Sequence, residues 1–181
     1  GERCERVEGD VGVVTPPGSG SPLKDLAPLS AAAPGSLPRA RPLAAKARDV
    51  SELLAAPPPR APRHPLRARV AYHSPCHLGH AQRIQDPPRA LLRAIPGVEL
   101  VEVPDGDQCC GSAGVYNIVQ PGSADEIGRR KAAAVASTHA TLVASANPGC
   151  SLQIRRMLAE QGAEVDAAHP IEIIDRSIRG G

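Results

Sequence analysis

The chain has no phenylalanine and no tryptophan, and its aromatic side chains are Tyr72 and Tyr116 alone. A core without large rings is stabilised by many small aliphatic contacts instead. The net charge of +2 comes from acids and bases interspersed along the chain, and without an aromatic-rich basic surface this leaves no nucleic-acid footprint. No apolar run approaches the roughly 20 residues that span a bilayer. The opening "GERCERVEGD" has no signal-peptide apolar region, so a cytoplasmic protein without a transmembrane segment is the expectation. Five cysteines, an odd number at irregular spacing, argue against a secreted disulfide framework and for thiols kept reduced for metal or redox work.

Proline and glycine are plentiful, at 20 and 17 residues, and they crowd into the first 65 positions. "VGVV" (11–14) reads as a short strand running into the breaker cluster "TPPGSGSPLKDL", and residues 43–54 carry weak helical spacing. The five prolines between positions 55 and 65 predict an extended connector. Beyond it, strands are expected at 67–73, 98–103, 140–146 and 163–170. Helices are expected at 87–95, at 123–139 with Ser123 as N-cap, at 151–162 closed by Gly162, and over "IEIIDRSI". The basic run Arg129-Arg130-Lys131 reads as the solvated face of the 123–139 helix. This alternation predicts an α/β fold with a mainly parallel sheet and flanking helices. "VGVVTPPGSGSPLKDL" and "ATLVASANPGCSLQIRRML" also echo each other as strand, Pro-Gly turn and helix, with Ser19 opposite Cys150.

Cys76, Cys109, Cys110 and Cys150 each follow a predicted strand. That is the carboxyl edge at which open α/β sheets build ligand sites. Each is flanked by Pro or Gly, which lets backbone approach closely. Four convergent thiolates are the usual ligand set of an iron–sulfur cluster or of zinc, and adjacent thiols suit two irons of one cluster. Two other readings stand beside this one. Four buried, inert thiols would be ordinary small apolar residues, and Cys109 with Cys110 could form a strained redox disulfide that leaves Cys76 and Cys150 unexplained. His73, His77 and His80 bracket Cys76 as possible zinc ligands, or orient the cysteine loop through hydrogen bonds. His169 reads as a capping or packing residue, Asp105 and Asp107 as turn residues, and Cys4 is assigned no role.

The ordered series "YHSPCHLGHAQRI", "VELVEVPDGDQCCGSAGVYNI", "ANPGCSLQI" and "HPIEIID" resembles the cysteine-rich, CCG-type domain of the glycolate oxidase iron–sulfur subunit. The family of the heterodisulfide reductase B-subunit, lactate-utilisation proteins and an anaerobic glycerol-3-phosphate dehydrogenase subunit carry the same domain type. The resemblance is strong over about residues 67–178 and weak over 11–54, and it matches the C-terminal portion of the full family subunit. It implies the organisation 1–54, a remnant of a first CCG repeat and partly disordered; 55–66, a Pro-rich linker; and 67–181, the cysteine-rich CCG domain. It also implies Cys76, Cys109, Cys110 and Cys150 as ligands of an iron–sulfur cluster, most simply of the 4Fe–4S type, with Gly111 and Gly149 as turn residues in the cofactor site. Backbone N–H groups of Gly111, Ser112 and Gly149 would tune its potential.

Where many relatives carry CxxC, this chain has Asn147, and Ser19 stands at the first repeat's cysteine. By resemblance the chain is an iron–sulfur electron-transfer module of a 2-hydroxy-acid oxidoreductase, with no catalytic residue of its own. Its partners would be flavin-containing oxidoreductase subunits and a ferredoxin-type domain, and through them the complex could sit at the membrane periphery. The alternatives are a zinc-stabilised, non-catalytic interaction domain and a truncated, cofactor-free remnant.

Overall fold

Valine, alanine and leucine in short runs make strands that are buried on both faces, and such strands need helices above and below them. The computed structural model describes residues 11–30, 37–59 and 61–180, and this is what it contains. A four-stranded parallel sheet has the order β4-β3-β5-β6, where β3 is Ala68–His73, β4 Val98–Glu102, β5 Leu142–Ser145 and β6 Asp166–Ala168. Helices α5 (Asp86–Arg93) and α9 (Pro170–Arg179) cover one face. On that side Val70, Tyr72, Leu142 and Ala144 pack with Leu91, Leu92, Ile173 and Ile174. Helices α7 (Pro121–Ala136) and α8 (Pro148–Glu160) cover the other face, where Ala71 and Val143 meet Ala132, Val135, Ile154, Met157 and Leu158. The α7–α8 approach is close, since a Cβ on Gly128 would lie 2.8 Å from Met157 Cγ. The fold is thus three-layered, and its core is aliphatic apart from the buried rings of Tyr72 and His73; Arg89 lies 4.4 Å from the centre of the Tyr72 ring.

The N-terminal residues form a smaller parallel pair, β1 (Gly12–Val14) with β2 (Ala47–Asp49). Helices α1 (Pro17–Lys24), α2 (Leu26–Leu29), α3 (Leu37–Lys46) and α4 (Val50–Ala55) surround it. This unit rests on the larger one through a π-helical turn, His77–Ala81. Ser21 Oγ donates to the His77 carbonyl at 3.1 Å, and Gln82 Nε2 donates to the Pro17 carbonyl at 3.1 Å. Residues 56–59 and 61–65 form neither helix nor strand.

Three local expectations are corrected. The helix expected over 43–54 is interrupted by β2, because pairing with β1 draws residues 47–49 into a strand and Asp49 restarts the helix as a capping-box N-cap. The long helix begins at Pro121, two residues before Ser123, so Ser123 is not its N-cap and Gln120 holds that position without a side-chain bond. Helix α8 begins at Pro148, which puts Cys150 inside its first turn. Cys4 lies outside the described residues. Among the described residues no helix is long and apolar enough to cross a membrane.

Candidate metal centre

From β3 the chain turns to one side of the sheet to make β4, and from β5 it turns to the other side to make β6. Between β3 and β5 this opens a crevice at the carboxyl edge, the usual ligand position in open α/β sheets. Their last residues, His73 and Ser145, are register partners. Side chains alternate along a strand, so His73 follows Ala71, and Ser145 follows Val143, onto the α7/α8 face.

Two cysteine loops close over that crevice. Asn147 caps α8, its Oδ1 accepting from Gly149 N at 2.9 Å and Cys150 N at 3.4 Å, and this fixes Cys150 at the sheet edge. Gly149 leaves no room for a side chain, since its Cβ would lie 2.7 Å from Ser112 Oγ of the other loop. In that other loop Gly111 adopts φ +89, and its N–H donates to Cys109 Sγ at 3.4 Å. Of the expected tuning N–H groups, that of Gly111 donates to sulfur, on Cys109. The Gly149 N–H does not serve this purpose, because the Asn147 cap already takes it.

Cys109, Cys110 and Cys150 form a chain of interacting thiols. Its hydrogen bond to Cys110, then burial, pushes the Cys109 thiol well above the usual thiol range. The Cys109 thiol acts to lower Cys110, but Cys150 and burial outweigh it and push Cys110 up to about 12. In the metal-free pocket the Cys109 and Cys110 thiols are therefore neutral. Cys110 and Cys150 also belong to the apolar cluster under the sheet.

The ligand atoms of His73, Cys110 and Cys150 all lie within 4.8 Å of one another, and all three residues are buried. His73 is 1% exposed, and burial first, then the charge of Lys131, pushes its imidazole down to about 3. Neither ring nitrogen has a hydrogen-bond partner, and neither does Ser145 Oγ. Buried polar groups left without partners each cost about 1–3 kcal/mol, so an orphaned imidazole and hydroxyl beside two thiols is the chemistry of a metal-donor set.

Cys76 and Cys109 fall outside the 4.8 Å set. Cys76 is half-buried, with Sγ 3.5 Å from His77 Nδ1. His80 Nε2 lies 3.3 Å from the Asp107 carbonyl oxygen and so ties the Cys76 loop to the Cys109 loop. His169 caps α9, its Nδ1 accepting from Ile171 N at 3.2 Å. Asp105 and Asp107 offer backbone carbonyls to Lys131 and His80 rather than a carboxylate pair.

Lys131 overturns the reading of the basic run as a solvated face. Arg129 and Arg130 are exposed, but Lys131 is 3% exposed and turned inward with Ala124, Gly128 and Val135. Its Nζ donates to the Asp105 carbonyl at 2.8 Å. Burial holds the ammonium below its usual range, opposed by Cys110, Asp107, Asp105 and Cys109. A buried cation thus stands beside the thiols.

Residues 70–155 match the family model of the cysteine-rich domain, CCG. Among curated proteins, the chain is 35% identical over 128 residues to the B-subunit of fumarate reductase (CoM/CoB) from Methanothermobacter marburgensis, covering 70% of this chain and 26% of that one. It is 40% identical over 107 residues to a probable glycolate oxidase iron-sulfur subunit of Bacillus subtilis, covering 58% and 24%. It is 30% identical over 116 residues to lactate utilization protein A of Oceanobacillus iheyensis, covering 64% and 48%. The chain therefore spans between about a quarter and about half the length of these relatives.

Proposed function

We propose, from the premise that residues 70–155 belong to the cysteine-rich (CCG) domain family, that this chain is an iron–sulfur electron-transfer module of a 2-hydroxy-acid oxidoreductase of the glycolate type. The observation that carries the reading is the convergence of Cys110 and Cys150, with Cys109 next to Cys110 in the chain, on a crevice where the buried His73 nitrogens and Ser145 Oγ have no protein partner. The name of the Bacillus subtilis relative, a probable glycolate oxidase iron-sulfur subunit, supports it.

In this reading Cys76, Cys109, Cys110 and Cys150 would hold a cluster of the 4Fe–4S type, their thiolates spread over more than one iron. Ligands on different irons need not touch, which accommodates Cys76 outside the tight set. When bound, the cluster supplies reversible one-electron transfer. The chain's own residues set the terms. Gly111 N–H donates to Cys109 sulfur, Lys131 adds positive charge beside the pair, Gly149 lets the two cysteine loops approach, and Gly111 lets its loop lie against α7. The Cys109 and Cys110 thiols, neutral in the metal-free pocket, would lose their protons on metal binding, so loading releases protons and is favoured by raised pH.

The electron donors and acceptors are partner polypeptides: a flavin-containing subunit that oxidises the hydroxy acid, and a ferredoxin-type domain that passes electrons on. The apolar side chains of Val115, Ile118, Val119 and Leu152, each more than 60% exposed, follow Cys110 and Cys150 closely in the chain and offer such partners an apolar surface. The cytoplasm is the compartment that keeps such thiols reduced.

One observation favours a second reading, a zinc-stabilised interaction domain. The 4.8 Å set of His73, Cys110 and Cys150 is near the spacing that a single tetrahedral ion imposes on its donors. Anaerobic purification with iron, sulfide and zinc quantification separates the two. The proposal expects a brown protein with iron and acid-labile sulfide in equal amounts, whereas a colourless protein carrying zinc alone overturns it.

A further inference from the structure

Among the described residues, the imidazole of His73 is the buried nitrogen donor at the crevice that the four-cysteine assignment leaves unused. Its ligand atom lies within 4.8 Å of those of Cys110 and Cys150, closer company than Cys76 keeps. It ends β3, a strand held in register on both sides by β4 and β5, so the backbone that carries it is rigid. Strand alternation aims it at the α7/α8 face together with Ala71. His73 is 1% exposed, and both ring nitrogens are buried without a hydrogen-bond partner. A neutral imidazole has one N–H and one lone pair to satisfy. An aliphatic residue would fill the same volume without leaving either one unsatisfied.

His77 and His80 differ in kind. Their ring nitrogens are engaged with Cys76 Sγ and the Asp107 carbonyl, which is the behaviour of residues that orient a loop. Asn147 cannot take a ligand's place either, because its Oδ1 is committed to the α8 cap.

We propose that His73 is a direct nitrogen ligand of the metal centre, making it a mixed cysteine–histidine site. This rests on the reading that the crevice holds metal. One ring nitrogen binds metal on the side of Cys110 and Cys150. The other would donate its N–H, once metal is bound, to Ser145, the register partner whose buried Oγ has no partner in the metal-free chain either. A ligating histidine ordinarily fixes its second nitrogen in this way. An iron that carries a neutral imidazole rather than a further thiolate has the higher reduction potential, as in Rieske centres.

The test uses the full chain labelled with 15N-histidine, purified anaerobically and reduced, with pulsed electron paramagnetic resonance reading the nitrogen coupling. The proposal expects a strong histidine-nitrogen coupling of a directly bound ligand. It expects His73→Cys to retain iron, lose that coupling and shift to a more negative potential. A fully loaded wild-type centre with no strong histidine coupling, or one whose coupling persists in His73→Cys, overturns it. If the chain purifies without iron, the electron-transfer reading fails separately, and ligation is read with Co2+ alone by its visible absorption. There His73→Ala should weaken Co2+ binding by more than the 10–100-fold typical of an outer-shell partner. A smaller loss, with the sulfur-to-cobalt absorption unchanged, overturns the assignment in that arm.

Discussion

Gly111 sits directly against Ala124. A Cβ on Gly111 would overlap the Ala124 carbonyl oxygen and lie 3.3 Å from Gly128 N, and Gly111 has φ +89. The loop that carries Cys109 and Cys110 is therefore pressed onto the first turns of α7 with no space for a side chain. Gly111→Ala should destabilise the chain by at least about 2 kcal/mol, the sum of left-handed strain and displaced backbone, and should lower metal content with it. Gly122→Ala is the comparison. It meets nothing within 4 Å and should be neutral or stabilising by up to about 1 kcal/mol. Urea unfolding of the two variants decides it.

A second expectation follows from Lys131. Lys131→Met keeps the side-chain length but removes the buried charge and the bond to the Asp105 carbonyl. The reduction potential should become more negative, because positive charge beside the centre favours the added electron, and stability should fall by about 1–3 kcal/mol. Lys131→Arg, which keeps the charge, should restore most of the potential. Potentiometric titration of the three proteins checks this, and equal potentials in all three would remove Lys131 from the account.

What could be read in the sequence, and what could not, has physical causes. The sheet was readable because β3 and β5 are short apolar runs bounded by breakers, and the three cysteine loops followed from that. The inward turn of Lys131 was hidden by its neighbours Arg129 and Arg130. The signal existed in the spacing of Ala124, Gly128, Lys131 and Val135, which places all four on one buried stripe. His73 was similarly marked by its two-residue offset from Ala71. The break in the 43–54 helix was unreadable locally, because it depends on pairing with β1, some 35 residues away. The early start of α8 lay in "NPG", where Asn caps and Pro takes the first helical position.

Acid should destabilise the metal-free chain through His73. Its folded-state value is pushed down to about 3 from an unfolded value near 6.5. The unfolded chain therefore binds the extra proton between those values and the folded one does not. The stabilisation is fully present above about pH 6.5 and is lost progressively as pH falls toward 3. Urea midpoints of the metal-free chain should drop across that window, and His73→Gln should flatten the drop. An identical acid dependence in the variant would mean that other groups control it.

The central claim is that the crevice between β3 and β5 holds an iron–sulfur cluster on cysteine ligands, and anaerobic iron and sulfide quantification tests it most directly. The wild-type chain should carry about four iron and four sulfide per chain for a 4Fe–4S centre. Cys109→Ser and Cys110→Ser should each lose most of both, since a hydroxyl is a poor substitute for thiolate. Wild-type protein without iron and sulfide, or undiminished iron in both serine variants, would contradict the account.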